Sequence, residues 1–255
     1  MTWKAIGGSV AGTSHINAGK GCEDALQYRV IQTPGGDEVL ICACSDGAGS
    51  AIHAQYASAC CTEKVVAALS KFGEEAVLVT ESVIFSMAEE IYSHFENEAI
   101  SNGIPINEYS CTLLGCYIAG GRAVFFQVGD GAIVRNDGTG FFIPVWWPHN
   151  GEYQNSTSFL VDDKAFSNLK VCVLEEQIEE IAIFTDGLQM LALNMETRHA
   201  HQPFFTGLFK YLRMADEEGK ITILQRKATE YLGSEQINGR TDDDKTLFLA
   251  TRVLI

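Results

Sequence analysis

The stretch Cys44-Ser45-Asp46-Gly47-Ala48-Gly49-Ser50 decides how the rest of the chain is read. The apolar run Val39 to Cys44 leads into it and reads as a strand buried on both faces. A helical pattern leads away, with Ser50 as the expected N-cap and Ala54, Ala57, Cys61, Val65, Ala68 and Leu69 on one face. An acidic residue therefore sits where a buried strand ends, followed by glycines that let backbone approach a ligand closely. A carboxylate in such a place is suited to a hard metal ion.

Working outward, Trp3 to Val10, Gln27 to Gln32 and Val39 to Cys44 read as strands, with Pro34-Gly35-Gly36-Asp37 as a turn. Two long helices follow: the first is expected to end at Gly73, the second to reach about Gly103. Tyr109 to Ala119 and Arg122 to Val128 form a hairpin through Gly120-Gly121. Ala132 to Arg135, Phe141 to Val145, Lys170 to Leu174 and Ile181 to Phe184 read as further strands. Leu188 to Asn194 reads as a short helix, Pro203 to Ala215 and Ile221 to Leu232 as longer ones, and Leu247 to Val253 as the last strand. Strands joined by tight turns predict antiparallel sheets, and the class is α+β with helices outside. With no repeat or linker in view, residues 1–255 are expected to form one domain.

Composition removes several classes. The 255 residues are 46% hydrophobic and 20% charged, which describes a globular chain. A formal net charge of -15 without a basic stripe argues against nucleic-acid binding. No apolar run approaches the ~20 residues of a membrane span, and Met1-Thr2-Trp3-Lys4 does not open a signal peptide. A cytoplasmic monomer is expected. The eight cysteines contain no C-x-x-C pair; seven lie in apolar runs and read as buried thiols, and Cys22 stands in a polar stretch.

The carboxylates carry the functional signal. Asp46 and Asp186 each follow an apolar run and precede Gly, whereas Asp24 and the Asp242–Asp244 cluster precede strands. In an antiparallel sheet the end of one strand lies beside the start of the next, so these groups can meet at one edge. A single strand-end Asp is turn chemistry; two copies of apolar run–[Ser/Thr]-Asp-Gly, plus the other acids, favour a shared metal site. All-oxygen ligands select Mg²⁺, Mn²⁺ or Ca²⁺. In two-metal hydrolytic sites such ions stand roughly 3.5–4 Å apart and generate a water nucleophile near neutral pH.

Glu23-Asp24-Ala25, Ser45-Asp46-Gly47-Ala48-Gly49, Ser110-Cys111-Thr112, Val128-Gly129-Asp130-Gly131-Ala132, Thr185-Asp186-Gly187-Leu188 and Asp243-Asp244-Lys245-Thr246 occur in that order. The series resembles that of the metal-dependent (type 2C, PPM) Ser/Thr protein phosphatases, in a bacterial-type version. The resemblance implies a four-layer αββα sandwich of two antiparallel sheets flanked by helix pairs. It also implies a centre of two Mn²⁺ or Mg²⁺ ions that hydrolyses phosphoserine and phosphothreonine through a metal-activated water. The substrate would be a phosphoprotein made by a Ser/Thr kinase.

Carried onto this sequence, the resemblance makes Asp46 the bridging ligand and Gly47 a ligand through its carbonyl. Asp186 and Asp243 are the other carboxylates of the first ion, with Asp244 as the alternative to Asp243. Glu23 and Asp24 hold the second ion largely through water.

The sequence departs from the family at three places. Ala48 stands where animal members carry a His proposed as general acid. The phosphate-binding Arg falls on Gly19, leaving Lys20, and more weakly His15, to meet phosphate. The acid of a third metal site aligns near Asn107, with Glu108 as its substitute. These departures motivate the alternative of a catalytically weak regulatory or scaffold protein that keeps the fold. The segment 146–169 is expected to be a flap beside the site. There, Trp146 to Phe159 reads equally well as self-packing aromatics or as substrate contacts.

Two other motifs fail. Asp242 to Thr246 fits the haloacid dehalogenase pattern D-x-D-x-T, but no buried strand precedes it and only one strand follows. Gly19-Lys20-Gly21 lacks the spacing of a P-loop.

Overall fold

Side chains alternate across a strand, so a run that is apolar at every position needs cover on both faces. The strand Glu38–Asp46 has that cover: Val39, Ile41 and Ala43 join one buried cluster, and Leu40, Cys42 and Cys44 join another. The computed structural model describes residues 2–148, 157–215 and 218–253.

In chain order the strands are β1 (Thr2–Val10), β2 (Asp24–Gln32), β3 (Glu38–Asp46), β4 (Leu113–Ala119), β5 (Arg122–Val128), β6 (Ala132–Asn136), β7 (Phe142–Pro144), β8 (Lys170–Leu174), β9 (Glu180–Phe184), β10 (Leu193–Asn194), β11 (His199–Ala200) and β12 (Lys245–Val253). The helices are α1 (Thr13–Asn17), α2 (Ala54–Glu74), α3 (Glu81–Asn102), α4 (Ala165–Asn168), α5 (Gln189–Ala192), α6 (Gln202–Arg213), α7 (Glu218–Leu232) and α8 (Glu235–Asn238).

Two antiparallel sheets form the centre. One runs β1-β12-β9-β6-β7 and the other β2-β3-β4-β5-β8, while β10 and β11 make a small separate ribbon. The layer between the sheets holds Trp3, Leu40, Cys42, Leu114, Phe125, Ile183 and Phe248. Helices α2 and α3 cover the outer face of the β2–β8 sheet through Cys61, Val65, Leu69, Ile84 and Phe95. Phe205, Phe209 and Leu212 of α6 and Leu232 of α7 cover the other sheet. Strand β12 shows the same division, with Leu247 and Leu249 toward the helices and Phe248 and Ala250 toward the opposite sheet. The α+β class and the four-layer αββα sandwich are both present.

Local differences from the sequence reading have physical causes. Helix α2 starts at Ala54 with His53 as its N-cap. The Ile52 N–H is already met by Glu108 Oε2 and the His53 N–H by the Glu108 carbonyl, so no Ser50 cap is used. Tyr109 ends a 3-10 turn, Ile106–Tyr109, and the strand begins only at Leu113. The stretch 188–194 divides among a 3-10 turn, α5 and β10.

Residues 149–156 of the expected flap lie outside the described residues. Its flanks are packed: Trp146 lies against the inter-sheet layer, Trp147 against the α6 side, and Phe159 and Phe166 against the α2–α3 side. Among the described residues no helix is long and apolar enough to cross a membrane.

Candidate active site

The site forms where both sheets end on the same side. Asp24 opens β2 and Asp46 closes β3, and the two are direct cross-strand partners, so their side chains share a face. Asp46 has the parity of Cys42 and Cys44, which places that face toward the other sheet. From the other sheet, Asp186 follows β9 and Asp243 precedes β12, its neighbour strand. Asp130 lies on the link that carries the chain from β5 in one sheet to β6 in the other.

Threonine hydrogen bonds hold these segments. Thr112 grips Asp46 from both sides: its N–H donates to the Asp46 carbonyl at 2.8 Å, and its Oγ1 accepts from the Asp46 N–H at 2.9 Å. Asp24 Oδ2 accepts from Thr185 Oγ1 at 2.7 Å and Thr246 Oγ1 at 2.8 Å, tying one sheet to the other. Two glycines are sterically required. Gly129 has φ 115°, closed to most side chains. A Cβ on Gly187 would stand 2.0 Å from the Asp244 carbonyl oxygen.

The carboxylates act on one another. Burial pushes the Asp46 carboxyl well above its ordinary range, and the charges of Asp24, Asp186, Asp243 and Asp130 push it further. Asp186 is raised to about 7 by burial, then by Asp130 and Asp243; a side-chain hydrogen bond with Asp46 and the Gly187 N–H oppose this. Asp24 is raised to about 7 by burial, against the two threonine hydrogen bonds. Burial also raises Asp243, with the Asp244 N–H opposing. Clustered carboxylates held up in this way mark a place that gains from a cation.

The residues fit a divalent ion. The donor set is all oxygen, which suits Mg²⁺ or Mn²⁺. Buried Glu23 Oε2 and Asp24 Oδ1 have no hydrogen-bond partner. His15 Nε2 lies 3.5 Å from Glu23 Oε2, within ion-pair range but not hydrogen bonded. Among the described residues no three His, Cys, Asp or Glu side chains form a ready ligand cage.

A family model for protein phosphatase 2C matches residues 11–228. The chain belongs to the protein phosphatase 2C family. It is 33% identical over 256 residues to Serine/threonine-protein phosphatase 3 of Escherichia coli (strain K12), covering 98% of each chain. Among solved structures it resembles the serine/threonine phosphatase Stp1 from Staphylococcus aureus, with TM-score 0.61 and 15% identity over 100% of this chain and 96% of that one. It also resembles PppA, a regulatory component of T6SS in Pseudomonas aeruginosa, with TM-score 0.63 and 15% identity over 98% of both chains. The chain is thus a metal-dependent protein Ser/Thr phosphatase, an enzyme that acts on phosphoproteins.

In this phosphatase, Asp46, Asp186, Asp243 and Asp24 come together, with Gly47 beside them; its N–H donates to the Glu23 carbonyl at 3.1 Å. Asp243 and Asp244 part company. Asp243 is exposed and acts on Asp46 and Asp186. Asp244 is 2% exposed, and its carboxylate accepts from the Gly12 N–H at 2.6 Å, the Glu23 N–H at 2.5 Å and His15 Nδ1 at 2.9 Å. Lys20 Nζ donates to Glu23 Oε1 at 3.1 Å and to the Gly49 carbonyl at 2.9 Å. Glu108 is committed to the Ile52 N–H and is not among the leading charges on Asp46, Asp186 or Asp243.

Asp130 is the residue that the strand-end reading missed. Gly129-Asp130-Gly131 reads as a turn, yet it also follows an apolar strand and precedes Gly, the same signal that marks Asp46 and Asp186.

Proposed function

We propose that Asp46, Gly47, Asp186 and Asp243 form the core of a two-ion Mn²⁺ or Mg²⁺ site, with Glu23 and Asp24 serving the second ion through water. The observation that carries this is the convergence of Asp24, Asp130, Asp186 and Asp243 on Asp46. A third ion belongs at Asp130, which acts on both Asp46 and Asp186, and not at Glu108. When bound, the ions supply Lewis acidity toward the phosphoryl oxygens and an ionised water as nucleophile.

The chain's own residues position and balance charge. Thr185 and Thr246 orient Asp24 so that its other oxygen stays open. Thr112 fixes the Asp46 backbone on both sides. Lys20, pinned between Glu23 and Gly49, offers a point charge for the phosphoryl group without a bidentate fork. His15 is tied to Asp244 and is the weaker candidate. Ala48 offers no proton, so the leaving oxygen is protonated from solvent.

The phosphoprotein substrate would be the product of a Ser/Thr kinase. Residues 1–255 act as one unit, because the strands of both sheets interleave along the chain. The eight free cysteines suit a reducing, cytoplasmic setting.

The test is hydrolysis of a chromogenic phosphate ester with Mn²⁺, with chelator, and by Asp46→Asn. Turnover is expected with Mn²⁺ only, falling about 10²–10³-fold in the variant, a loss on the scale of removing one preorganised electrostatic group. Turnover in chelator, or turnover that survives Asp46→Asn, removes the proposed site.

A further inference from the structure

The carbonyls of Gly129, Asp130 and Gly131 are held by two glutamine amides. Gln127 Nε2 donates to the Gly129 carbonyl at 3.0 Å and to the Gly131 carbonyl at 2.8 Å. Gln189 Nε2 donates to the Asp130 carbonyl between them. Both side chains are buried, Gln127 at 1% and Gln189 at 8% exposure. The Asp130 side chain has a partner of its own: Thr157 Oγ1 donates to its Oδ2 at 2.6 Å.

The two amides come from different elements. Gln127 is in β5, and its parity with Phe125 turns it toward the layer between the sheets. Gln189 opens α5, directly after the 3-10 turn that begins at Asp186. It therefore ties the turn that carries Asp186 to the link that carries Asp130. Those two acids oppose one another, since Asp130 is the foremost charge acting on Asp186. Something has to keep their segments together against that repulsion. A lysine or arginine there would offset the carboxylate charge. Neutral amides hold the backbone and leave that charge for a cation.

Packing alone does not account for Gln127. Its Oε1 is buried with no hydrogen-bond partner among the described residues, and an unpaired buried amide oxygen is unfavourable. An apolar side chain would suit its cross-strand neighbour Leu114, but would give the Gly129 and Gly131 carbonyls no donor.

We infer that Gln127 and Gln189 are positioning residues that fix Asp130 against Asp186 for the third ion. The inference rests on the third-ion reading given above. Partners that orient a metal ligand change metal affinity by about 10–100-fold when removed. Asp130 stands outside the core set of Asp46, Gly47, Asp186 and Asp243, so the ion it serves is expected to be the weakest held.

Chelator-stripped full-length protein is titrated with MnCl₂ while free Mn²⁺ is followed by electron paramagnetic resonance, which counts bound ions without reference to turnover. Wild type is expected to show a tight class of two ions and a weaker third, and Asp130→Asn should lose the third. Gln127→Met and Gln189→Met, which remove the donors at similar side-chain volume, should each weaken the third ion about tenfold or more. The tight class should stay within twofold of wild type in both. The Mn²⁺ concentration that half-saturates hydrolysis of a phosphate ester should rise in step with the loss of the third ion. A third ion unchanged in either Met variant overturns this inference alone. So does a loss spread over all three ions, which marks a general structural role. A third ion absent from wild type, or untouched by Asp130→Asn, overturns the third-ion reading, and this inference with it.

Discussion

Stripping the divalent ions should make this phosphatase less stable as pH rises from 6 to 8. In the metal-free fold Asp24 and Asp186 are both held near 7, against an ordinary 3.8. In the unfolded chain both are ionised throughout that range. The native state therefore binds more protons than the unfolded state, and stability falls with pH. The effect is fully present below about 4 and is lost as pH passes through 7. For a group held at 7, the step from pH 6 to pH 8 removes about 1.4 kcal/mol, and two such groups together about 1–3 kcal/mol. For a chain of this size that lowers Tm by about 3–10 °C.

Ions compete with the same protons, so Mn²⁺ should raise Tm more at pH 8 than at pH 6. Calorimetry or tryptophan fluorescence on chelated and Mn²⁺-loaded protein at both pH values reads this directly. A metal-free Tm that is flat or rising between pH 6 and 8 would refute the clustered-carboxylate account. A Mn²⁺ increment independent of pH would do the same.

Other perturbations separate the roles of neighbouring groups. Lys20→Ala should raise KM for a phosphate ester more than it lowers kcat, and an unchanged KM removes Lys20 from phosphate binding. Asp244→Ala leaves the Gly12 and Glu23 N–H groups without their acceptor and should cost about 2–5 kcal/mol in urea unfolding of the Mn²⁺-loaded protein. A variant within about 0.5 kcal/mol of wild type would show that this carboxylate does not clamp the loop. Gly187→Ala forces a Cβ into the Asp244 carbonyl, so the β9 end and the β12 start must separate. Loss of activity with a Tm lowered by about 5 °C or more is expected, and a fully active, stable variant contradicts the close approach.

Most strands were legible because their side chains have two interiors to fill. The all-apolar run at β3 and the continuously buried run Leu113 to Ile118 of β4 follow from that requirement. Helix α3 was legible from its period and from Gly103, which takes the left-handed conformation at its C-cap. The start of α2 was not, because a distant residue, Glu108, supplies the acceptors that a local cap would otherwise provide. The position of Glu108 in the sequence suggests a third-metal ligand; in the fold its Oε2 accepts from the Ile52 N–H.

The sequence by itself determined that acids stand at strand ends: Asp46 and Asp186 after apolar runs, Asp24 and the Asp242–Asp244 cluster before strands. That follows from local chemistry, since strand period and turn residues are properties of neighbouring positions. Only the tertiary structure decided which acids face one another. Asp243 turns toward Asp46 while Asp244 turns into the loop of Gly12 and Glu23, because successive side chains at a strand start point to opposite sides. Asp130 enters the cluster because its link crosses from one sheet to the other at the edge where β3 and β9 end. Such pairings depend on the register between strands far apart in the chain, and the packing of the two sheets supplies that register.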